Sequence, residues 1–108
     1  MNVEIIENMV LICAEVFGIN SEEITSPKRT RVCVLARSLI ADIAYKEYLF
    51  TYYAIGKALN RDHATIMHAI TTLANDSDQI PELKYLRRQV FNKSQDVLQQ
   101  RYWPYICD

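Results

Sequence analysis

The sequence predicts an all-α protein, a compact bundle of about five or six helices that contains a helix-turn-helix. Three observations predict it. Two glycines and three prolines in 108 residues are too few for the turns of a β-rich or loop-rich fold. Apolar residues recur at three- and four-residue spacing along most of the chain, which is the period of an amphipathic helix. Between Tyr52 and Leu73 two such segments follow one another across a very short turn, the pattern of a helix-turn-helix. With half of its residues hydrophobic, the chain suits one domain over 1–108, with a modest core and no room for a second.

The elements follow in order. Val3, Ile6, Met9, Val10, Cys13, Val16 and Phe17 share a helical face, and Gly18 stands where a C-cap glycine belongs. Ser21-Glu22-Glu23-Ile24 opens a short turn of helix whose two carboxylates suit the positive end of the dipole. No other acid, histidine or nucleophile falls at a spacing that would set up acid–base chemistry with them, so they read as a solvated cap. Ser26-Pro27 breaks the pattern and delivers Lys28-Arg29-Thr30-Arg31 to the start of a long helix, from about Thr30 to Leu49. Val32, Leu35, Ala36, Leu39, Ile40 and Ile43 form its expected buried stripe. Tyr52 to Leu59 is a short helix with Thr51 as its N-cap, and Asn60, which tolerates left-handed backbone angles, ends it.

The segment from Arg61 to Leu73 changes character from one side to the other. At about 3.6 residues per turn, Ile66, Ala69, Ile70 and Leu73 share one face, and Arg61, Thr65, His68 and Thr72 share the opposite one. Asp62 sits where a short carboxylate can accept from the orphan N–H groups of the first turn, so the helix starts there. This segment reads as a recognition helix. After Leu73 the polar run Asn75-Asp76-Ser77-Asp78 is expected to be a loop, and Pro81 with Glu82 suits the first turn of a final helix whose apolar side is Leu83, Leu86, Val90, Val97 and Leu98. From about residue 93 the chain extends into an aromatic tail, Tyr102-Trp103-Pro104-Tyr105-Ile106-Cys107. It is expected to fold back onto the body; the alternative is a dimer contact or a docking site for another protein.

The run Ala54-Ile55-Gly56-Lys57-Ala58-Leu59-Asn60, followed by Arg61-Asp62-His63-Ala64-Thr65-Ile66-Met67-His68-Ala69, resembles the signature of the C-terminal DNA-binding domain (domain IV) of DnaA, the bacterial replication initiator. Lys28-Arg29-Thr30-Arg31 and Ala36-Arg37 lie at that family's spacing ahead of it, and the likeness covers roughly Asn2 to Asn92. The resemblance implies a Trp-repressor-like helical fold and binding of double-stranded DNA, at sites like the DnaA box, with the recognition helix in the major groove and the basic loop in the adjacent minor groove. It assigns Arg29 to the minor groove, places Arg31 and Arg37 near phosphates, and carries Asp62, His63, Thr65 and His68 over as base-edge or backbone readers, with Arg61 beside them. Lys28 belongs to the same basic cluster.

Groove chemistry agrees in kind. The hydroxyl and methyl of Thr65 can meet base edges or a thymine methyl, and an imidazole can donate to guanine N7. Lys46, Lys57 and the Tyr53 hydroxyl could reach phosphates. The chain departs from the family pattern at several points. The family's helix lysine aligns with Tyr45 rather than Lys46, and Tyr52-Tyr53-Ala54 stands where the family has an apolar residue and proline. Ala64 replaces the first of two threonines, and Asn60 alone takes the place of a Gly-Gly turn. Losing one good base contact costs roughly 1 to 3 kcal/mol of discrimination.

Charge distribution points the same way. Net charge is −1, yet residues 1–25 carry five acidic groups and no basic one, whereas residues 26–61 carry seven basic against two acidic. A basic DNA-facing surface on an otherwise neutral domain produces this asymmetry; solvated surface charge, or an acidic helix lying against a basic one, is the alternative. Basic residues at a helix N-terminus oppose the dipole, so something other than helix stability placed Lys28, Arg29 and Arg31 there. Three cysteines, with no CxxC pair, read as reduced structural thiols. His63 and His68 are five apart, not the one-face pair of a zinc helix, and no metal or cofactor is expected. No GxxxxGK[ST] phosphate loop occurs, so the initiator's ATPase module is missing from this reading, which is not of an enzyme. The acidic opening and the lack of a long apolar run predict a cytoplasmic protein with no membrane partner. Together these predict a sequence-specific helix-turn-helix binder acting as an accessory or regulatory factor in replication or transcription. The alternative is a protein-interaction module that keeps the fold and has lost DNA affinity.

Overall fold

The computed structural model describes residues 3–106, with side chains over 3–98. Six helices follow one another: α1 (Glu4–Phe17), α2 (Ser21–Thr25), α3 (Arg31–Lys46), α4 (Tyr52–Leu59), α5 (His63–Gln79) and α6 (Pro81–Ile106). Among the described residues there is no strand, and no helix is long and apolar enough to cross a membrane.

α1 buries Ile6, Met9, Ile12 and Cys13 and stops at Gly18, whose φ of 68° lets the Ile19 amide close back on the Ala14 carbonyl at 3.0 Å. Burial in this apolar face pushes the Cys13 thiol up to about 12, so it stays protonated. α3 is the axis of the bundle. The Thr30 hydroxyl accepts from the Cys33 amide at 3.3 Å to start it, and it packs against both α1 and α5, whose backbones do not approach each other. Its buried side is wider than the sequence stripe, because Cys33, Ala41 and Ala44 are covered as well; Val32, assigned to the stripe, is 38% exposed.

Two element boundaries differ from expectation. α3 ends at Lys46, not Leu49, because Leu49 takes a left-handed conformation (φ 60°) that turns Phe50 back into the core, where it is 2% exposed. The polar run Asn75-Asp76-Ser77-Asp78, expected as a loop, is the last part of α5. No glycine or proline interrupts it, and the helix ends only at Ile80, whose extended backbone is what the following Pro81 requires.

One apolar cluster joins α1, α2, α3, α4, α5 and Val90 of α6, and a second, built of Leu39, Leu73 and Leu83, ties α3, α5 and α6 together. Polar contacts fix α6 in register. Arg87 reaches Asp42 at 2.6 Å and Glu47 at 3.1 Å, and Tyr48 shares a 2.7 Å hydrogen bond with Ser94. α6 continues through Ile106 as one helix. The side chains of Tyr102, Trp103, Pro104, Tyr105, Ile106 and Cys107 lie outside the described residues, and with them the expectation that the tail folds back.

Candidate nucleic-acid interface

The turn between α4 and α5 is built from three residues. Thr51 caps α4 by accepting from the Ala54 amide at 3.1 Å, and Asn60 ends it in the left-handed region at φ 61°, ψ 43°. The Arg61 amide then donates to the Gly56 carbonyl at 2.8 Å. The chain passes so close to α4 there that a Cβ at Gly56 would collide with the Arg61 carbonyl. Glycine inside a helix costs stability, and a close backbone approach of this kind is the reason a helix carries one, so its place within α4 is the sequence signal for Gly56.

α5 starts at the expected place. Asp62 Oδ1 accepts from the Thr65 amide at 2.7 Å, and these hydrogen bonds hold the carboxyl below the usual carboxylate range. Ile66, Ile70 and Leu73 anchor one side of the helix in the core, leaving Asp62, His63, Ala64, Thr65, Met67, His68 and Thr72 exposed on the other. On this outward face His68 Nε2 lies 3.5 Å from the Thr72 hydroxyl. His63 takes a different position: its ring stacks on that of Tyr53 on α4, with centroids 4.5 Å apart and 25° between planes.

Facing this helix is the segment from Ser26 to Thr30, and Arg37 of α3 organises it from beneath. Its guanidinium donates to the carbonyls of Glu23, Ile24, Ser26 and Lys28. Arg37 is 7% exposed, with its Nε and Nη2 turned to backbone carbonyls. Desolvation first, and then the charges of Arg61 and Arg29, lower its pKa from the usual arginine value. Arg61 extends from the start of α5 to the carbonyls of Leu59, Asn60 and Ser26, so the two arginines meet on the Ser26 oxygen.

Between α5 and the first part of α3, with Arg29 also in its wall, runs a cleft of about 590 Å³ whose lining includes the apolar Val34, Ile66 and Ala69. Of the residues singled out from sequence, Arg29, Arg37, Arg61, Asp62, Thr65 and His68 line it with Thr72 of the same polar face, joined by Ser38, which sequence reasoning did not assign to the site. Lys28, Arg31, Lys46, Tyr53, Lys57 and His63 do not line it. Lys28 pairs with Glu23 at 2.9 Å, and Lys46 lies 2.9 Å from Asp42 in the ion network with Arg87 that joins α3 to α6. Arg31 and Lys57 are exposed at the first turn of α3 and on α4. Among the described residues Arg29, Arg31, Arg37, Lys57 and Arg61 have no carboxylate partner, since the ion pairs fall on Lys28, Lys46 and Arg87. An open cleft rimmed by uncompensated guanidinium groups on one side and hydroxyl and imidazole groups on the other suits a polyanion. No three His, Cys, Asp or Glu side chains converge as a metal site among the described residues.

Comparison with known proteins supplies the context. The family of bacterial dnaA protein helix-turn-helix domains matches residues 6–73, which covers α1 to α4 and the first part of α5. Chromosomal replication initiator protein DnaA of Acinetobacter baumannii is 32% identical over 77 residues, spanning 70% of this chain and 17% of that protein. Chromosomal replication initiator protein DnaA 2 of Protochlamydia amoebophila is 27% identical over 73 residues, 68% of this chain and 16% of that protein. The chain thus spans about one-sixth of the length of the relatives it matches.

Proposed function

Because the chain belongs to the bacterial DnaA helix-turn-helix family, whose members bind DNA, we propose that it is a sequence-specific binder of double-stranded DNA. In this reading α5 lies in the major groove with Thr65, His68 and Asp62 toward base edges. Arg29 enters the adjacent minor groove, and Arg31, Lys57 and the Tyr53 hydroxyl meet phosphates. His63 backs the reading helix through its stack on Tyr53. The observation that carries the proposal is the cleft itself, where arginines without carboxylate partners face the hydrogen-bonding side of α5. A strand of phosphodiester backbone separates a major from a minor groove, and a protein that enters both must leave a slot for it. In this reading the cleft between α5 and the first part of α3, which Arg29 also lines, takes that backbone.

The biological role that follows is that of an accessory or regulatory factor at DnaA-type boxes or at related sites. Ala64 and a turn one residue shorter than the family's Gly-Gly, with Asn60 alone in its place, favour a related rather than an identical site, since both alter what α5 presents to the bases.

Fluorescence anisotropy tests this with a duplex carrying a DnaA-type box and a scrambled duplex, each titrated across a salt series. The expected result is tighter binding to one sequence, weakening linearly in log–log form as counterions are released. Arg29→Ala should weaken binding to both duplexes and lower the salt slope by about one. His68→Ala should bring the two affinities together. Equal binding by wild type and both variants, or no binding even at low salt, would overturn the reading, and the second outcome would favour a protein-interaction role.

A further inference from the structure

The Ser26 carbonyl lies outside any helix and accepts from two guanidinium groups, Nη2 of Arg37 and Nη2 of Arg61. A carbonyl oxygen has two lone pairs, so both bonds can form at once. Arg37 comes from α3, on which the segment rests, but Arg61 comes from the turn that leads into α5. Its own backbone is fixed, because its amide is bonded to Gly56 and its Nη1 donates to the Leu59 and Asn60 carbonyls. The guanidinium is therefore a rigid strut from the turn to the segment that carries Arg29, three residues beyond Ser26. Two guanidinium groups close to one another repel, and the carbonyls they share offset that repulsion, so the contact ties the turn to the segment.

We propose that Arg61 is a positioning residue: by holding the Ser26 carbonyl it fixes the spacing between the Arg29 segment and α5, and hence the number of base pairs separating the minor-groove and major-groove parts of the DNA site. This rests on the DNA-binding reading above, but the mechanical half of it does not. Lysine cannot replace arginine here, since a single ammonium on a flexible stem cannot hold the turn carbonyls and Ser26 in one planar fork. A phosphate contact, in contrast, would accept lysine.

The experiment has two arms on the full chain, using wild type, Arg61→Ala and Arg61→Lys, with urea unfolding to show that each variant is folded. Without DNA, ¹⁵N relaxation of the amides of residues 28–30 reads the strut directly. Both variants should drop from the order parameter of rigid backbone, about 0.85, to below about 0.6, with α5 unchanged. With DNA, anisotropy compares a site enriched by wild type from a random library with the same site carrying one inserted base pair between its two parts. Wild type should lose roughly tenfold on insertion, as for a mismatched half, and both variants should lose less than about threefold. Unchanged order in both variants overturns the strut whatever the DNA arm shows. A wild-type insertion penalty that persists in Arg61→Lys overturns the spacing role and leaves a charge contact. Failure of wild type to prefer any duplex is read from wild type alone, and overturns the DNA reading and this spacing role together.

Discussion

Gly56 shows why one residue decides the geometry of the turn between α4 and α5. Replacing a helical glycine with alanine normally stabilises by about 0.5 to 1 kcal/mol through lost chain entropy. Here the added methyl would meet the backbone carbonyl of Arg61, which cannot rotate aside as a side chain could. Overpacking of that kind costs about 1 to 3 kcal/mol, so the collision outweighs the entropy and the sign reverses. Gly56→Ala should lower the urea midpoint and weaken DNA binding further than stability alone explains, because the turn must open to accommodate it. A variant at least as stable as wild type would refute the close approach. Asp62 gives a second prediction. Its hydrogen bonds from α5 amides depress its folded pKa, so its contribution to stability is present above the unfolded value of about 3.9 and is lost as pH falls from there through the lower folded value. Asp62→Asn keeps a capping oxygen and removes the titration. Between pH 5 and pH 3 the wild type should therefore lose more stability than the variant; parallel losses would show that the cap carbonyl and not the charge matters.

At the scale of the element, what was legible was what periodicity and caps can express. Gly18, Thr51, Asn60 and Asp62 each mark a boundary through their own backbone or side-chain chemistry, and each boundary stands where that chemistry puts it. The boundaries that were missed depend on distant residues. Leu49 is an unremarkable hydrophobe until Phe50 needs a place in the core. Asn75-Asp76-Ser77-Asp78 has poor helix formers and acids at the negative end of the dipole, all of which argue locally for a loop. Leu73 on α5 and Leu83 on α6, closed over Leu39, hold both flanks and carry the helix through the polar run. The same limit hid the true task of Arg37, since a run of basic residues gives no sign of which guanidinium will be turned inward. If the run is helical, Asn75→Pro removes an interior hydrogen bond and costs about 3 kcal/mol, a fall in Tm on the order of 10 to 20 °C. A loop would accept proline there with little change, so thermal unfolding of this one variant separates the two.

Over the whole molecule, charge is arranged along the same line as the packing. α3 lies between α1 and α5, so the acidic residues of α1 are held one helix layer from the cleft and the arginines stand beside it. Net charge of −1 therefore conceals an uneven distribution, with Arg29, Arg37 and Arg61 at the cleft and Glu4, Glu7 and Glu15 on α1. Such a field acts through solvent on the approach to DNA rather than in the final contacts, and it is cut off beyond about 8 Å at physiological ionic strength. Replacing the exposed Glu7 and Glu15 together with glutamine removes two repulsive charges far from the cleft without touching a residue that faces it. At low salt the association rate should rise about two- to threefold for preferred and scrambled duplexes alike, and the gain should vanish at physiological salt. The ratio of the two affinities should stay constant, because neither residue meets a base. Stopped-flow association with both duplexes checks this: a changed ratio would mean that α1 itself touches DNA, and so would move the interface to the opposite side of α3.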